Sequence, residues 1–261
     1  MAPERQSGHL VAAPDVEDVD IDMSDEASST ASISASVLEY RNEHGRTFHS
    51  DRHPTDYFTP NDGKQGQSVD LAHHYLLILL DGQLFVAPIG KNKVLDVGTG
   101  TGIWAIDFAN EFPDAQIIGT DLSPMQPTWI PANMKFEIDD ATLPWTYPEN
   151  HFDFIHTRYL FGAIRDWPAL FKETFRALQP GGWIEDVEMD TKFYSDDGTV
   201  EDVAALNKWD ELYREAGKLI GSSFSLVADN TQEGNLKSAG FVDVEIQTYK
   251  ASLRRDRNNR A

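Results

Sequence analysis

The chain has no cysteine. That excludes disulfides, thiolate nucleophiles and cysteine-bound metals, and it suits a reducing compartment. Positive charge is scarce: 22 Lys and Arg stand against 43 Asp and Glu, a net charge of −21 over 261 residues. Nucleic-acid binding needs a basic face to neutralise phosphates, so direct binding is not expected. Long apolar runs are missing as well. The longest, residues 75–80, is far too short to span a bilayer. The first residues carry no apolar signal-peptide core. The expectation is an intracellular protein, in cytoplasm or nucleus, with no membrane contact. No G-K-[ST] follows a glycine loop, which excludes a phosphate-cradling P-loop.

What the chain does have is Lys93-Val94-Leu95-Asp96-Val97-Gly98-Thr99-Gly100-Thr101-Gly102-Ile103-Trp104. A short apolar run ends in an acid, three glycines alternate with small residues, and a helical pattern begins. This predicts a buried strand, a tight turn and a helix N-terminus open to a ligand. The glycine spacing is not the dinucleotide G-x-G-x-x-G. Asp96 would also repel a pyrophosphate, which disfavours a NAD-dependent oxidoreductase. An acid there suits a ligand with an amino group, such as S-adenosylmethionine. A glycine-rich turn of some other α/β protein is the plainer alternative.

Further runs follow the same plan. Residues 116–121 end in Asp121, about 20 residues beyond the first glycine, where an acid takes ribose hydroxyls. Residues 134–141 end in Asp139-Asp140-Ala141, where a carboxylate can accept an adenine amine. Residues 151–158 and 183–188 read as a fourth and fifth strand, separated by a helix from Trp167 and by Pro180-Gly181-Gly182. One acid alone is a solvated loop charge. Three at successive strand ends mark the edge where open α/β sheets bind ligands.

Residues 94–186 resemble class I S-adenosylmethionine-dependent methyltransferases. More narrowly, residues 94–109, Gly119-Thr120-Asp121-Leu122-Ser123-Pro124 and Leu178-Gln179-Pro180-Gly181-Gly182-Trp183 resemble the fungal LaeA-like methyltransferases. Upstream, Tyr57-Phe58-Thr59-Pro60-Asn61-Asp62 and Asp70-Leu71-Ala72-His73-His74 are similar to that group's segment before the first strand. The resemblance implies a Rossmann-like α/β sheet with helices on both faces and an N-terminal helical lid. It implies S-adenosylmethionine as cofactor and a secondary metabolite or a protein as methyl acceptor. The group is also similar to nuclear regulators that act through velvet-type partners, so a regulatory subunit is the alternative function. A truncated, inactive form is the third.

The expected organisation is an acidic disordered segment over 1–35, a helical lid over 36–92, the methyltransferase domain over 93–250 and a basic tail over 251–261. Residues 241–249 read as a sixth strand. The tail has no apolar pattern, so the family's seventh strand is expected to be missing and the sixth left with an open edge.

Cofactor contacts are expected from Asp96, Gly98, Thr99, Gly100, Gly102, Asp121, Leu122, Asp139, Asp140, Ala141, Arg158 and Tyr57. Arg158 suits a carboxylate, and Tyr57 is assigned by resemblance. His156, at the end of the fourth strand, is the candidate base; a histidine that only packs there is the alternative. His73 is the second candidate catalytic residue, since it or His74 could line the methyl-transfer pocket. A metal on Asp70, His73 and His74 is disfavoured, because adjacent histidines on a helix point apart. Glu185 and Asp186 should lie on opposite faces of the fifth strand. Leu71, Tyr75, Ile78 and Leu79 are expected to form the lid helix's buried face. Asp202, Ala205, Leu206, Trp209, Leu212, Tyr213 and Ala216 would form that of a later helix.

Overall fold

The computed structural model describes residues 39–251 apart from 52, 56, 91 and 201. The 1–35 segment, and the 251–261 tail beyond residue 251, lie outside the described residues. In chain order the elements are β1 (Arg41–Glu43), β2 (Arg46–Phe48), α1 (Gly63–Leu79), β3 (Lys93–Val97), α2 (Ile103–Glu111), β4 (Gln116–Asp121), β5 (Met134–Ile138), β6 (Phe152–Arg158), α3 (Trp167–Ala177), β7 (Leu178–Val187), α4 (Ala204–Ile220) and α5 (Thr231–Ala239).

Strands β3 to β7 form one parallel sheet in the order β5-β4-β3-β6-β7. Parallel strands buried on both faces read as continuous apolar runs. Accordingly β3 is buried from Val94 to Val97, and β6 from Phe152 to Thr157. One face packs Val94, Ile117 and Phe154 against Trp104, Ala105 and Phe108 of α2. The other packs Leu95, Val97 and Ile155 against Leu170 and Phe171 of α3. The chain steps outward from β3 to β4 and β5, then crosses back to β6 on the other side. Ligands bind α/β sheets at such a reversal, beyond the strand C-termini. The glycine turn after β3 stands at that point.

Two glycines there are costly to replace. Gly98 has φ +68°, and a Cβ would lie 2.6 Å from Leu160 Cδ2. Gly102 has φ +79°, and a Cβ would lie 2.2 Å from Phe136 Cζ. The turn needs left-handed backbone at both positions and ring-to-backbone packing beneath.

Several expectations need correction. The lid region begins with a β-hairpin, β1 paired antiparallel to β2. Helix α1 starts at Gly63 because Asp62 caps it: Oδ1 accepts from the Gln65 amide at 3.0 Å. Arg46 of β2 holds the same carboxylate and keeps it well below its ordinary range, at about 2. The buried residues of α1 are Gly66, His73 and Leu76, while Leu71 is 68% and Ile78 65% exposed. Polar partners for His73 turn the helix away from its apolar stripe. Pro180-Gly181-Gly182 does not break the chain: β7 runs through it, with a register shift between Phe152 and Phe154 of β6.

No sixth strand forms over residues 241–249. Phe241 packs edge-on against Phe175 at 5.2 Å, and the left-handed backbone at Asp243 interrupts extension. Among the described residues no strand pairs with the outer edge of β7. Helix α4 turns Leu206 and Tyr213 inward but leaves Ala205, Trp209 and Leu212 exposed, and Asp202 precedes it.

Gly102→Ala should lower unfolding stability by at least about 2 kcal/mol, from the left-handed backbone and the clash with Phe136 together. Urea denaturation measures this; a midpoint equal to wild type would contradict the described turn.

Candidate active site

Asp96 ends the apolar run of β3 and is buried, so its charge needs partners. Oδ2 accepts the Thr99 hydroxyl at 2.5 Å, which folds the glycine turn back onto the strand. Oδ1 lies 2.7 Å from Nδ1 of His156 on the adjacent strand β6. A carboxylate only accepts, so Nδ1 carries the proton. The His156 ring stacks on Trp104 with centroids 3.8 Å apart and planes 4° from parallel. Its Nε2 has no hydrogen-bond partner among the described residues.

Asp121 ends β4 and reaches across to the turn. Oδ2 accepts from the Gly100 amide at 2.8 Å and Oδ1 from Ser123 at 3.1 Å, with the Leu122 amide also favouring its charge. Burial nevertheless outweighs these bonds, and with Asp96 nearby the carboxyl is pushed up to about 6. Gln126 staples the loop, donating to Gly100 O at 2.6 Å and Ser123 O at 3.1 Å.

After β5, Asp139 Oδ1 accepts from the Asp140 amide at 2.8 Å, and burial raises the Asp139 carboxyl above its ordinary value. Asp140 is buried. Its Oδ1 accepts from the Thr142 amide and hydroxyl and from the Thr55 hydroxyl, at 2.7–2.9 Å. Its Oδ2 is buried and has no partner among the described residues. Such an orphan acceptor awaits a donor. At the same end of the sheet, Thr120, Asp139, Ala141, Trp145 and Tyr147 line a small hollow.

Arg158 closes β6. Its guanidinium donates to His73 Nδ1 at 3.1 Å, and His73 Nε2 lies 2.9 Å from Asp107 Oδ2. Arginine only donates, so Nδ1 accepts and Nε2–H donates to the carboxylate: the imidazole is neutral. Burial, then Arg158, lowers its basicity to match. Both His73 nitrogens are therefore committed. His73, His156, Arg158, Glu185, Trp104 and Leu76 border one narrow cleft. His74 is exposed and Asp70 bonds the Thr101 hydroxyl at 2.7 Å, so the three residues weighed for a metal have separate surroundings. Among the described residues no group of His, Asp and Glu could hold a metal ion.

The segment before α1 covers the sheet edge. The Tyr57 amide donates to His49 Nε2 at 2.9 Å, and Asn61 donates to the Ser123 hydroxyl at 3.1 Å. The Tyr57 phenol is pushed up to about 12, chiefly by burial and further by Asp121 and Glu188. On β7, Glu185 accepts from the Val86 and Ala87 amides, while Asp186 accepts from Thr157 and Gln232 on the other face.

The structure thus ties Asp96 and Asp121 to the glycine turn through Thr99 and the Gly100 amide, while Asp140 is bonded to Thr55 and Thr142 and Arg158 to His73. Sequence reading missed Thr55, Gln126 and Glu188. Glu188 accepts from the amides of Leu160 and Phe161 at 2.8 and 3.0 Å, clamping the loop after β6. Alternation from Asp186 would have placed it on that face. Thr55 and Gln126 sit in loops with no periodicity to flag them.

A family profile described as a methyltransferase domain matches residues 70–245. The methyltransferase pytC of Aspergillus terreus is 42% identical over 199 residues, 73% of this chain and 60% of that protein. The protein-methionine methyltransferase laeA of Emericella nidulans is 34% identical over 214 residues, 80% of this chain and 56% of that protein. Among solved structures, Haemonchus contortus phosphoethanolamine N-methyltransferase 2 with S-adenosyl-L-methionine aligns at 23% identity and a TM-score of 0.44, over 66% of this chain and 37% of that one. The chain belongs to the methyltransferase-domain family. It spans 60% of the length of pytC and 56% of that of laeA.

Because burial raises the Asp121 carboxyl, the folded chain holds its proton more tightly than the unfolded chain. This group's contribution to stability is therefore present below its ordinary value of 3.8 and is lost as pH rises through about 6. Urea unfolding of wild type and Asp121→Asn across that range should show a decline in wild type that the variant lacks. Equal slopes would contradict the burial of this carboxylate.

Proposed function

We propose that the chain is an S-adenosylmethionine-dependent methyltransferase that binds its cofactor at the C-terminal ends of β3, β4 and β5. One observation carries this reading. Carboxylates stand at the ends of three neighbouring strands, two of them bonded to the glycine turn, and the third, Asp140, keeps a buried oxygen without a donor among the described residues. S-adenosylmethionine has donors of the required kinds: ribose hydroxyls for Asp121, an exocyclic amine for Asp140 and an α-amino group near Asp96. Arg158 supplies the opposite charge for its carboxylate. The turn from Gly98 to Gly102 lets Thr99 and Gly100 lie against the ligand without side-chain bulk, and Leu122 and Ala141 flank the ribose and the base. Asp139 orients Asp140 through its amide, and Tyr57 closes the edge beside Asp121.

The bound cofactor supplies an electrophilic methyl group on a sulfonium, which leaves as a neutral thioether. The protein's part is to align the acceptor and exclude water. His73 positions Arg158, since both its nitrogens are taken. His156 positions Asp96 through Nδ1 and borders the cleft together with Arg158. A base is required only for an acceptor that arrives protonated. An acceptor with a free lone pair, such as a thioether, needs none. A secondary metabolite or a protein side chain is the acceptor class that likeness to pytC and laeA supports.

The second reading is a regulatory subunit that acts mainly through a velvet-type partner in the nucleus. Likeness to laeA and the exposed Leu71 and Ile78 on α1 favour it. Cofactor binding is common to both readings, so it is tested first.

Calorimetry should show S-adenosylmethionine and S-adenosylhomocysteine binding to the folded chain, with no heat from NAD. Asp121→Ala should weaken that binding by about 1–3 kcal/mol, through loss of charge-assisted hydrogen bonds. A folded chain that binds neither ligand would overturn the enzymatic reading.

A further inference from the structure

Helix α4 has more apolar surface than its own domain covers. Leu206, Tyr213 and Gly217 face inward, Gly217 tightly against Ser222 O and the Phe224 ring. A second apolar row runs alongside: Ala205, Trp209, Leu212, Ala216 and Leu219. Trp209 is 44%, Leu212 62% and Leu219 88% exposed. Alternating steps of four and three residues keep a row on one narrow stripe, the pattern of a two-helix seam. Exposure of a large apolar row costs solubility and has no use in an isolated helix.

The charges beside the row choose the occupant. Lys208 and Glu215 each precede a member of the row, Trp209 and Ala216, and so share one flank of the stripe. Consider two copies of this helix side by side and antiparallel. Trp209 faces Leu212 of the second copy, and Ala205 faces Ala216. The large pairs are then flanked by the small ones, and Leu219 lies beyond them, across from Asp202 of the second copy. In that register Lys208 lies across from Glu215 of the second copy, and symmetry makes the pair twice. A parallel register would instead set Lys208 near Tyr213, which already faces its own domain. Lys208 has no ion-pair partner among the described residues. Glu215 bonds Lys218 at 2.6 Å, both largely exposed, and such a pair is readily exchanged.

We propose that the exposed face of α4 is a homodimer interface in which two copies of this chain pair their α4 helices antiparallel. A single pair of 17-residue helices makes a small interface, so the dimer is a weak, concentration-dependent one.

Sedimentation velocity on the full chain, from low micromolar to a few hundred micromolar, tests this. Wild type should shift from monomer to dimer, and Leu212→Asp should stay monomeric with an unchanged circular-dichroism spectrum. Lys208→Glu and Glu215→Lys should each weaken the dimer about tenfold, because both symmetric pairs are lost at once. The double variant, with both charges exchanged, should recover wild-type association. A wild-type monomer throughout, a dimer that survives Leu212→Asp, or no recovery in the double variant would each overturn the proposal.

Discussion

The site depends on one buried charge. Asp96 sits at the end of the central strand with no access to water, and a carboxylate there is tolerable only if it is bonded on both oxygens. Thr99 takes one oxygen and His156 the other. The first bond closes the glycine turn; the second ties β3 to β6 at the topological switch. Trp104, stacked on His156, joins helix α2 to the same node and donates from its own nitrogen to Leu84 O at 2.8 Å. Strand, turn, neighbouring strand and following helix therefore share a single polar junction inside an apolar core. Removing either partner of Asp96 would leave a buried charge half satisfied, which costs more than the bond is worth.

Around this node the protein concentrates negative charge where its strands end. Asp121, Asp139, Asp186 and Glu188 all have carboxyls raised by burial. Such groups are unfavourable to the fold and are held by backbone amides: Gly100 and Ser123 for Asp121, Leu160 and Phe161 for Glu188. Two of these amides belong to loops that shape the proposed pocket, Gly100 in the turn and Ser123 after β4. The acids thus hold the loops around the proposed pocket and keep lone pairs free for a ligand there. A ligand rich in N–H and O–H donors is what this arrangement fits.

Much of this was legible in the sequence, for physical reasons. Parallel strands buried on both faces leave continuous apolar runs, so β3, β4 and β6 were readable almost to the residue. The glycines and the acids after them follow from close backbone approach to a ligand. Helix faces were harder. Apolar spacing in α1 pointed to Leu71 and Ile78, yet His73 faces inward because Asp107 and Arg158 satisfy it from other elements, and periodicity cannot report such partners. In α4 two apolar rows lie side by side, and composition alone does not say which one the domain covers. The strand read over 241–249 has the right alternation, but a strand needs a neighbour, and β7 offers an edge that these residues do not reach. Side-chain pairs far apart in sequence, such as Thr55 with Asp140, carry no local signal at all.

The most direct test of the account is the protonation state of His156, read from the ¹⁵N shifts of its imidazole in the labelled chain. The Asp96 junction requires a protonated, hydrogen-bonded Nδ1, and exchanging Asp96 for Asn should release it. A His156 whose Nδ1 is unprotonated in the folded wild-type chain would contradict the junction on which the rest is built.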